Sequence, residues 1–246
     1  MPGESSFVSL SREGAVGVIT LHREPFNSYD DRLLFELDSA WGRAAVDPGV
    51  RVVVLEADGK HFCAGAYLGN DRQERPTGSP RLTPWDQFDL VRSIPKPTIA
   101  AVQGGCVGGG QRMVFPCDLI FCSDDAFFVD PTAALGIGGI QSHLHTWFYG
   151  PRLAKEMIWS GNRLPAKRLY EMGSVNRLYP RQELRDAARA FAAEIADVDP
   201  PVLRQAKRAS NMTTDIMGMH YISSRMAELM DTEQPLTLRS PTHGSP

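Results

Sequence analysis

The chain reads as an α/β layered domain, and three local patterns predict it. Residues Phe7 to Ser11 and Val16 to Leu21 are short β-rich runs around Glu13-Gly14, the pattern of a hairpin. From Asp30 onward, apolar residues recur at Leu33, Leu34, Leu37, Ala40, Trp41 and Ala44, the spacing of a helix with one buried face. Arg51 to Glu56 then carries Val52, Val53, Val54 and Leu55 without a polar break, as expected of a strand covered on both faces. Strand and helix patterns continue to alternate, and that order argues for a sheet with helices packed on it.

Between Asn70 and Pro84 the chain turns polar and carries Pro76, Gly78, Pro80 and Pro84, so a surface loop, and a candidate lid, is expected. A short helix with Trp85, Phe88 and Val91 should end at Ile94-Pro95-Lys96-Pro97, ahead of a strand over Thr98 to Val102. The alternation predicts a helix over Gly109 to Phe115, strands over Leu119 to Cys122 and Phe127 to Val129, and a helix over Pro151 to Ser160. Pro165 to Met172, Arg181 to Val198 and Pro201 to Met230 are rich in helix formers. The expected organisation is a core over 1–196, a helical region over 197–231, and a tail over 232–246 in which three prolines break any helical period.

A chain of 246 residues can bury a substantial core without disulfides. With 26 basic and 29 acidic residues, the net charge of −3 offers no electrostatic argument for a nucleic-acid partner. Cys63, Cys106, Cys117 and Cys122 sit in apolar or glycine-rich surroundings with no C-x-x-C pair and no histidine at a metal-binding interval. Buried free thiols are expected, and no metal. Met1 to Ser6 lacks the apolar run of a signal peptide, and nowhere do some eighteen apolar residues run together, so no membrane association and a cytoplasmic location are expected.

Two stretches carry the chemistry: His61-Phe62-Cys63-Ala64-Gly65-Ala66 and Gln103-Gly104-Gly105-Cys106-Val107-Gly108-Gly109-Gly110. Together they can set a pair of backbone N–H donors around one carbonyl oxygen, an oxyanion hole. Neutral, rigid amides suit this task because they meet developing charge without reorganising. A dinucleotide-binding G-x-G-x-x-G fits in no register of these glycines, nor in the loop Gly136 to Gln141, although Asp124 lies about twenty residues beyond Gly104. A Walker loop fails as well, because no Gly-Lys-Ser or Gly-Lys-Thr follows.

The segments Phe62-Cys63-Ala64-Gly65-Ala66-Tyr67-Leu68 and Ile99-Ala100-Ala101-Val102-Gln103-Gly104 through Gly110 resemble the two signature motifs of the crotonase superfamily, the enoyl-CoA hydratases, isomerases and relatives. The similarity continues through Cys117-Asp118-Leu119-Ile120 and Leu135 to Gly139 and fades near residue 210. It implies an α/β spiral of ββα units with a helical C-terminal region used for trimer contacts, giving a homotrimer or a dimer of trimers. It also implies an acyl-CoA substrate whose thioester carbonyl is held by the N–H groups of Ala66 and Gly109, and no cofactor beyond the coenzyme A of the substrate. A helix starting at Gly109 would add its dipole. Coenzyme A contacts are implied at Arg23, Phe26, Ala64, Tyr67, Leu68 and Gly108.

In hydratases of this superfamily two glutamates activate water and protonate the α-carbon. The matching positions here are Arg112 and Thr132, and a third acid used by some relatives matches Ile140. An arginine is too basic to serve as a base near neutral pH, and a threonine hydroxyl needs an activating neighbour. Asp130 and either His143 or His145 are the nearby candidates. The two histidines would diverge by about 200° on a helix, so at most one faces the site. Arg112 requires an anionic partner, supplied either by Asp130 or by a carboxylate on the substrate. The resemblance thus points to an enoyl-CoA hydratase/isomerase-type lyase or isomerase. A β-dicarbonyl or thioester hydrolase, and a catalytically silent acyl-CoA-binding relative, are the alternatives.

Overall fold

The structure, a computed structural model, describes residues 6–80, 82–136, 142–222 and 225. The expectations placed on Gly138, Gly139, Ile140 and the 232–246 tail lie outside the described residues.

The hairpin forms as expected, with β1 (Val8–Glu13) antiparallel to β2 (Val16–Leu21). Helix α1 (Asp31–Val46) follows, and all six of its periodic apolar residues are buried. Asp30 caps it by accepting from the Leu33 N–H at 3.0 Å. β3 (Val52–Ala57), β4 (Thr98–Val102), β6 (Leu119–Ser123) and β9 (Arg177–Tyr179) extend the sheet in parallel, giving the order β1-β2-β3-β4-β6-β9. A second sheet joins β5 (Gly105–Val107), β7 (Phe127–Val129) and β8 (Leu164–Pro165).

The spiral is visible in how the strands pair. β3, β4 and β6 stack side by side in the large sheet. The segment that follows each of them stacks in the same order beside it: the Cys63 bridge to Cys106, then β5 to β7, all parallel. Each turn therefore gives one long strand to one sheet and one short strand to the other. After them come α2 (Pro84–Ser93), a short 3₁₀ helix η1 (Gly108–Met113), and α3 (Ser142–Tyr149).

The uninterrupted apolar run of β3 now has a cause. Val52 and Val54 face one layer with Val16, Val18, Ile99, Ala101 and Phe121, covered by Leu184, Ala188, Ala192 and Ala196 of α6 (Leu184–Ala196). Val53 and Leu55 face the opposite layer with Leu33, Leu37 and Trp41 of α1. The fully buried Glu56 is accommodated because Arg185 and Arg189 of α6 both pair with its carboxylate, and Thr20 donates to it at 3.3 Å. The four cysteines are free and buried. Burial pushes the Cys63 thiol up to about 11, so it stays protonated and unreactive at neutral pH.

Two expectations change. The helix expected over Gly109 to Phe115 is a six-residue 3₁₀ turn, too short to project the macrodipole invoked for Gly109. The helix expected over Pro201 to Met230 is broken: α7 (Pro200–Ile216) ends at a turn on Met217 and Gly218. α4 (Pro151–Ser160) and α5 (Ala166–Glu171) form within the predicted ranges. No helix among the described residues is long and apolar enough to cross a membrane.

Candidate functional site

The two glycine-containing motifs meet edge to edge. Cys63 donates to the Gly105 carbonyl at 3.2 Å and accepts from the Val107 N–H at 2.9 Å, which lays residues 63–66 alongside β5 and the start of η1. On the other side of the same strand, Ala64 donates to the Phe26 carbonyl at 3.0 Å. Asn27 fixes that outer turn by donating its side-chain amide to the carbonyls of Asp58 and His61, at 2.8 and 3.1 Å.

The direction of the Ala66 amide follows from peptide geometry. The Gly65 carbonyl accepts from the Tyr29 N–H at 2.9 Å, and Tyr67 donates to the Tyr29 carbonyl at 2.8 Å. In a trans peptide the C=O and the following N–H point in opposite directions. The Ala66 N–H is therefore turned away from Tyr29, toward the side where β5 and η1 lie. Gly65 makes this turn with φ of +93°, a value that L side chains rarely adopt. A Cβ there would also lie 3.2 Å from the Val107 carbonyl oxygen.

On the facing segment, Gly108, Gly109 and Gly110 open η1. The first N–H groups of such a turn have no acceptor inside it. Gly110 rests directly on Cys63, where an added Cβ would come within 2.9 Å of the cysteine Cβ. Gly109 is overlaid by Tyr29, whose hydroxyl lies 1.9 Å from the place a Cβ would occupy. Tyr29 thus touches both motifs, with its backbone bonded to residues 65 and 67 and its ring on Gly109. Burial raises the pKa of this phenol, opposed by the nearby Arg112, so the hydroxyl remains a proton-bearing donor.

Arg112 follows Gly109 by three residues, and in a 3₁₀ helix positions three apart eclipse. Its side chain accordingly leaves from the face that carries Gly109, and its guanidinium stands over the Tyr29 ring, 4.8 Å from the centroid. Of the two partners open to Arg112, Asp130 does not supply one. Asp130 is 3 % exposed and committed elsewhere: one oxygen accepts from the Thr132 N–H at 3.0 Å and hydroxyl at 2.6 Å, and the other lies 3.5 Å from His145 Nε2. Asp130 is thereby a turn cap and a histidine partner, and Thr132 is the residue it caps.

Of the two histidines, His145 rather than His143 meets the acid. His145 is fully buried, edge-on to Phe115. His143 Nδ1 and Nε2 are both buried without a hydrogen-bond partner among the described residues. Burial, with His145 adjacent, lowers its pKa from 6.5 to about 4. The sign of the linkage follows: between pH 6.5 and 4 the unfolded chain binds the proton that the folded chain refuses, so stability falls as pH drops through that window. Urea midpoints at pH 7 and pH 5 should differ less in His143→Leu than in wild type. Equal pH sensitivity of the two proteins would remove His143 from this account.

The residues implied for coenzyme A contact divide into two groups. Phe26 and Leu68 are apolar and exposed, at 50 % and 82 %, and flank the strand that holds Ala64 and Ala66. Gly108 begins η1 with φ of +48°. Arg23, by contrast, already has partners: it pairs with buried Asp30 at 2.7 Å, donates to the Ser28 carbonyl at 2.7 Å, and stacks on Phe7 and Tyr67. Those contacts account for the cation without a phosphate. The Tyr67 hydroxyl donates to Asp71 at 2.6 Å.

The expected loop over Asn70 to Pro84 is irregular but tethered. Gln73 donates its N–H to Asp30 at 3.0 Å and accepts from the Arg32 N–H at 3.2 Å. Asp30 consequently holds the α1 terminus, the loop and Arg23 at once. Sequence reasoning gave Tyr29 no role and took Asp30 only as the start of the helix pattern. An aspartate just before the first periodic apolar residue is a helix-cap signal that could have found Asp30. Asp38 was also missed. Gln87 donates to both its oxygens, at 3.2 and 3.0 Å, and burial raises its pKa, opposed by Gln87, Arg112 and Arg75.

This architecture recurs in known proteins. The sequence profile described as enoyl-CoA hydratase/isomerase matches residues 11–239. A carnitinyl-CoA dehydratase from Salmonella arizonae is 33 % identical over 235 residues, covering 89 % of this chain and 87 % of that protein. The crystal structure of a probable enoyl-CoA hydratase from Mycobacterium thermoresistibile is similar with a TM-score of 0.81 at 40 % identity, covering 92 % of this chain and 94 % of that one. An enoyl-CoA hydratase/isomerase from Xanthobacter autotrophicus Py2 gives a TM-score of 0.80 at 33 % identity, with 92 % and 86 % covered. With the spiral of paired strands and the two glycine motifs joined across Tyr29, these matches show that the chain belongs to the enoyl-CoA hydratase/isomerase family.

Proposed function

We propose that this protein binds an acyl-CoA thioester, holds its carbonyl oxygen between the N–H groups of Ala66 and Gly109, and acts as a lyase or isomerase through the enolate so stabilised. The observation that carries the reading is the junction at Tyr29, which fixes the peptide before Ala66 and packs on Gly109. Polarising the thioester carbonyl acidifies the α-carbon and activates the β-carbon of an enoyl group toward water, and both outcomes need the same oxyanion donors. Arg112 and Thr132 stand where the two carboxylates of ordinary hydration are expected, so proton transfer falls to other groups. In this reading Asp130, bonded to Thr132 and 3.5 Å from the buried His145, carries the proton.

The test is direct. Purified protein is incubated with crotonyl-CoA, its ω-carboxylated counterpart, a 3-enoyl-CoA and a β-diketone acyl-CoA, and products are followed by chromatography and mass spectrometry. Gain of one water without cleavage, or a migrated double bond at unchanged mass, supports the proposal. Cleavage into two products would replace it with the hydrolase alternative. Binding without any product would make the protein a silent member of the family.

The proposed assembly is a homotrimer or a dimer of trimers, closed in part through α7. No residue of α7 is buried in the single chain, yet Val202, Met212 and Ile216 are exposed apolar residues on it. The helix is held to the body by polar contacts, Arg92 with Asp215 at 3.0 Å and Lys207 with Asp118 at 2.8 Å. Sedimentation equilibrium at micromolar concentration should give a multiple of three chains, and a monomer would contradict it.

A further inference from the structure

We propose that Arg112 is the receptor for a carboxylate on the acyl group, so that the preferred substrate is the CoA thioester of a short dicarboxylic acid. The inference rests on the acyl-CoA reading and deepens it.

Three observations converge on this residue. The first is an unmet charge. Arg112 Nε is buried and has no hydrogen-bond partner, and no carboxylate lies within ion-pair distance of its guanidinium among the described residues. Arg112 is part-buried, and a guanidinium carries five donors that no protein group can deprotonate, so its enclosed Nε–H is left unmatched at a cost. Both nearby acids are otherwise engaged: Asp130 by Thr132 and His145, and Asp38 by Gln87 through both oxygens. The fold has thus brought a cation to this place and kept the local anions off it.

Position is the second observation. Arg112 shares the face of η1 that carries Gly109, one 3₁₀ turn further along. Three residues at about 2.0 Å each separate them by roughly 6 Å along the axis. That separation is within the reach of a short acyl chain whose carbonyl is held at Gly109.

The third is preorganisation. The guanidinium carbon is held over the Tyr29 ring, and Tyr29 is fixed by its two backbone bonds to residues 65 and 67. A guanidinium over an aromatic face can still meet the two oxygens of a carboxylate side by side through its fork. The same ring touches Gly109, so the carbonyl site and the carboxylate site share one wall.

Equilibrium binding of glutaryl-CoA and pentanoyl-CoA, equal in chain length and differing in the terminal carboxylate, tests the inference without requiring turnover. Wild type should bind glutaryl-CoA at least about tenfold more tightly, the lower range for a charge-assisted pair. Arg112→Gln should bring that ratio close to one, and Arg112→Lys should keep part of it. A ratio near one in wild type, with pentanoyl-CoA bound, overturns the inference and leaves the acyl-CoA reading standing. Binding of neither thioester overturns both. Because wild type alone gives the deciding ratio, misfolding of a variant does not rescue the claim, and circular dichroism identifies that case.

Discussion

Gly109→Ala should lower turnover of an acyl-CoA by about 10²–10³, the scale for loss of one oxyanion donor. The backbone of residue 109 does not require glycine for its dihedral angles, so the effect is one of space. A Cβ would lie 1.9 Å from the Tyr29 hydroxyl, with the ring carbons Cζ and Cε1 at 2.6 and 2.8 Å. Either η1 retreats, and the amide leaves its position, or Tyr29 swings out, and the contact with Arg112 goes with it. Overpacking of this kind costs about 1–3 kcal/mol of stability, so the variant should fold while losing rate. Combining Gly109→Ala with Tyr29→Leu should recover a large part of the loss, measured as kcat/KM in a double-mutant cycle. Additive losses in the cycle would mean that the two residues do not share the space described.

Asp30→Ala should be the most destabilising single change around the site, by about 3–5 kcal/mol. The carboxylate is 2 % exposed and holds three things together: the N–H of Leu33 at the start of α1, the N–H of Gln73 in the loop, and the Arg23 guanidinium. Its removal leaves a largely buried arginine unpaired, uncaps the helix and unties the loop. Asp30→Asn should cost less, because an amide oxygen can still cap, typically worth about 1 kcal/mol. Chemical denaturation of the three proteins checks the order. Equal midpoints for wild type and Asp30→Ala would show that Arg23 and the helix terminus are satisfied in other ways.

The fold was legible wherever burial is local to one element. The hairpin, α1 and β3 could be read from spacing alone, because each buries a face set by its own period. The run of Val52 to Leu55 even announced two covering layers, and the structure supplies α6 on one side and α1 on the other. The motifs were legible for a related reason: glycine at 65 and at 109 is demanded by backbone conformation and close approach. Pairings across the chain were not. That Asp130 meets His145 and not Arg112 depends on where α3 docks, and no local period encodes that. The 3₁₀ form of residues 108–113 was hidden as well, since three consecutive glycines give no propensity signal to separate it from an α-helix. Tyr29 escaped notice because its role is to lie between two segments distant in sequence. Arg23 looked free from sequence, whereas its buried partner Asp30 sits seven residues on.

The central claim is that one carbonyl oxygen sits between two main-chain amides, and isotope-edited infrared spectroscopy reads that oxygen alone. An acyl-CoA labelled with ¹³C at the thioester carbonyl should show its C=O stretch moved to lower frequency on binding wild type, as donors at Ala66 and Gly109 draw charge onto the oxygen. Bound to Gly109→Ala, the same label should show most of that displacement lost. A labelled band at its solution frequency, with the ligand demonstrably bound to wild type, would contradict the account.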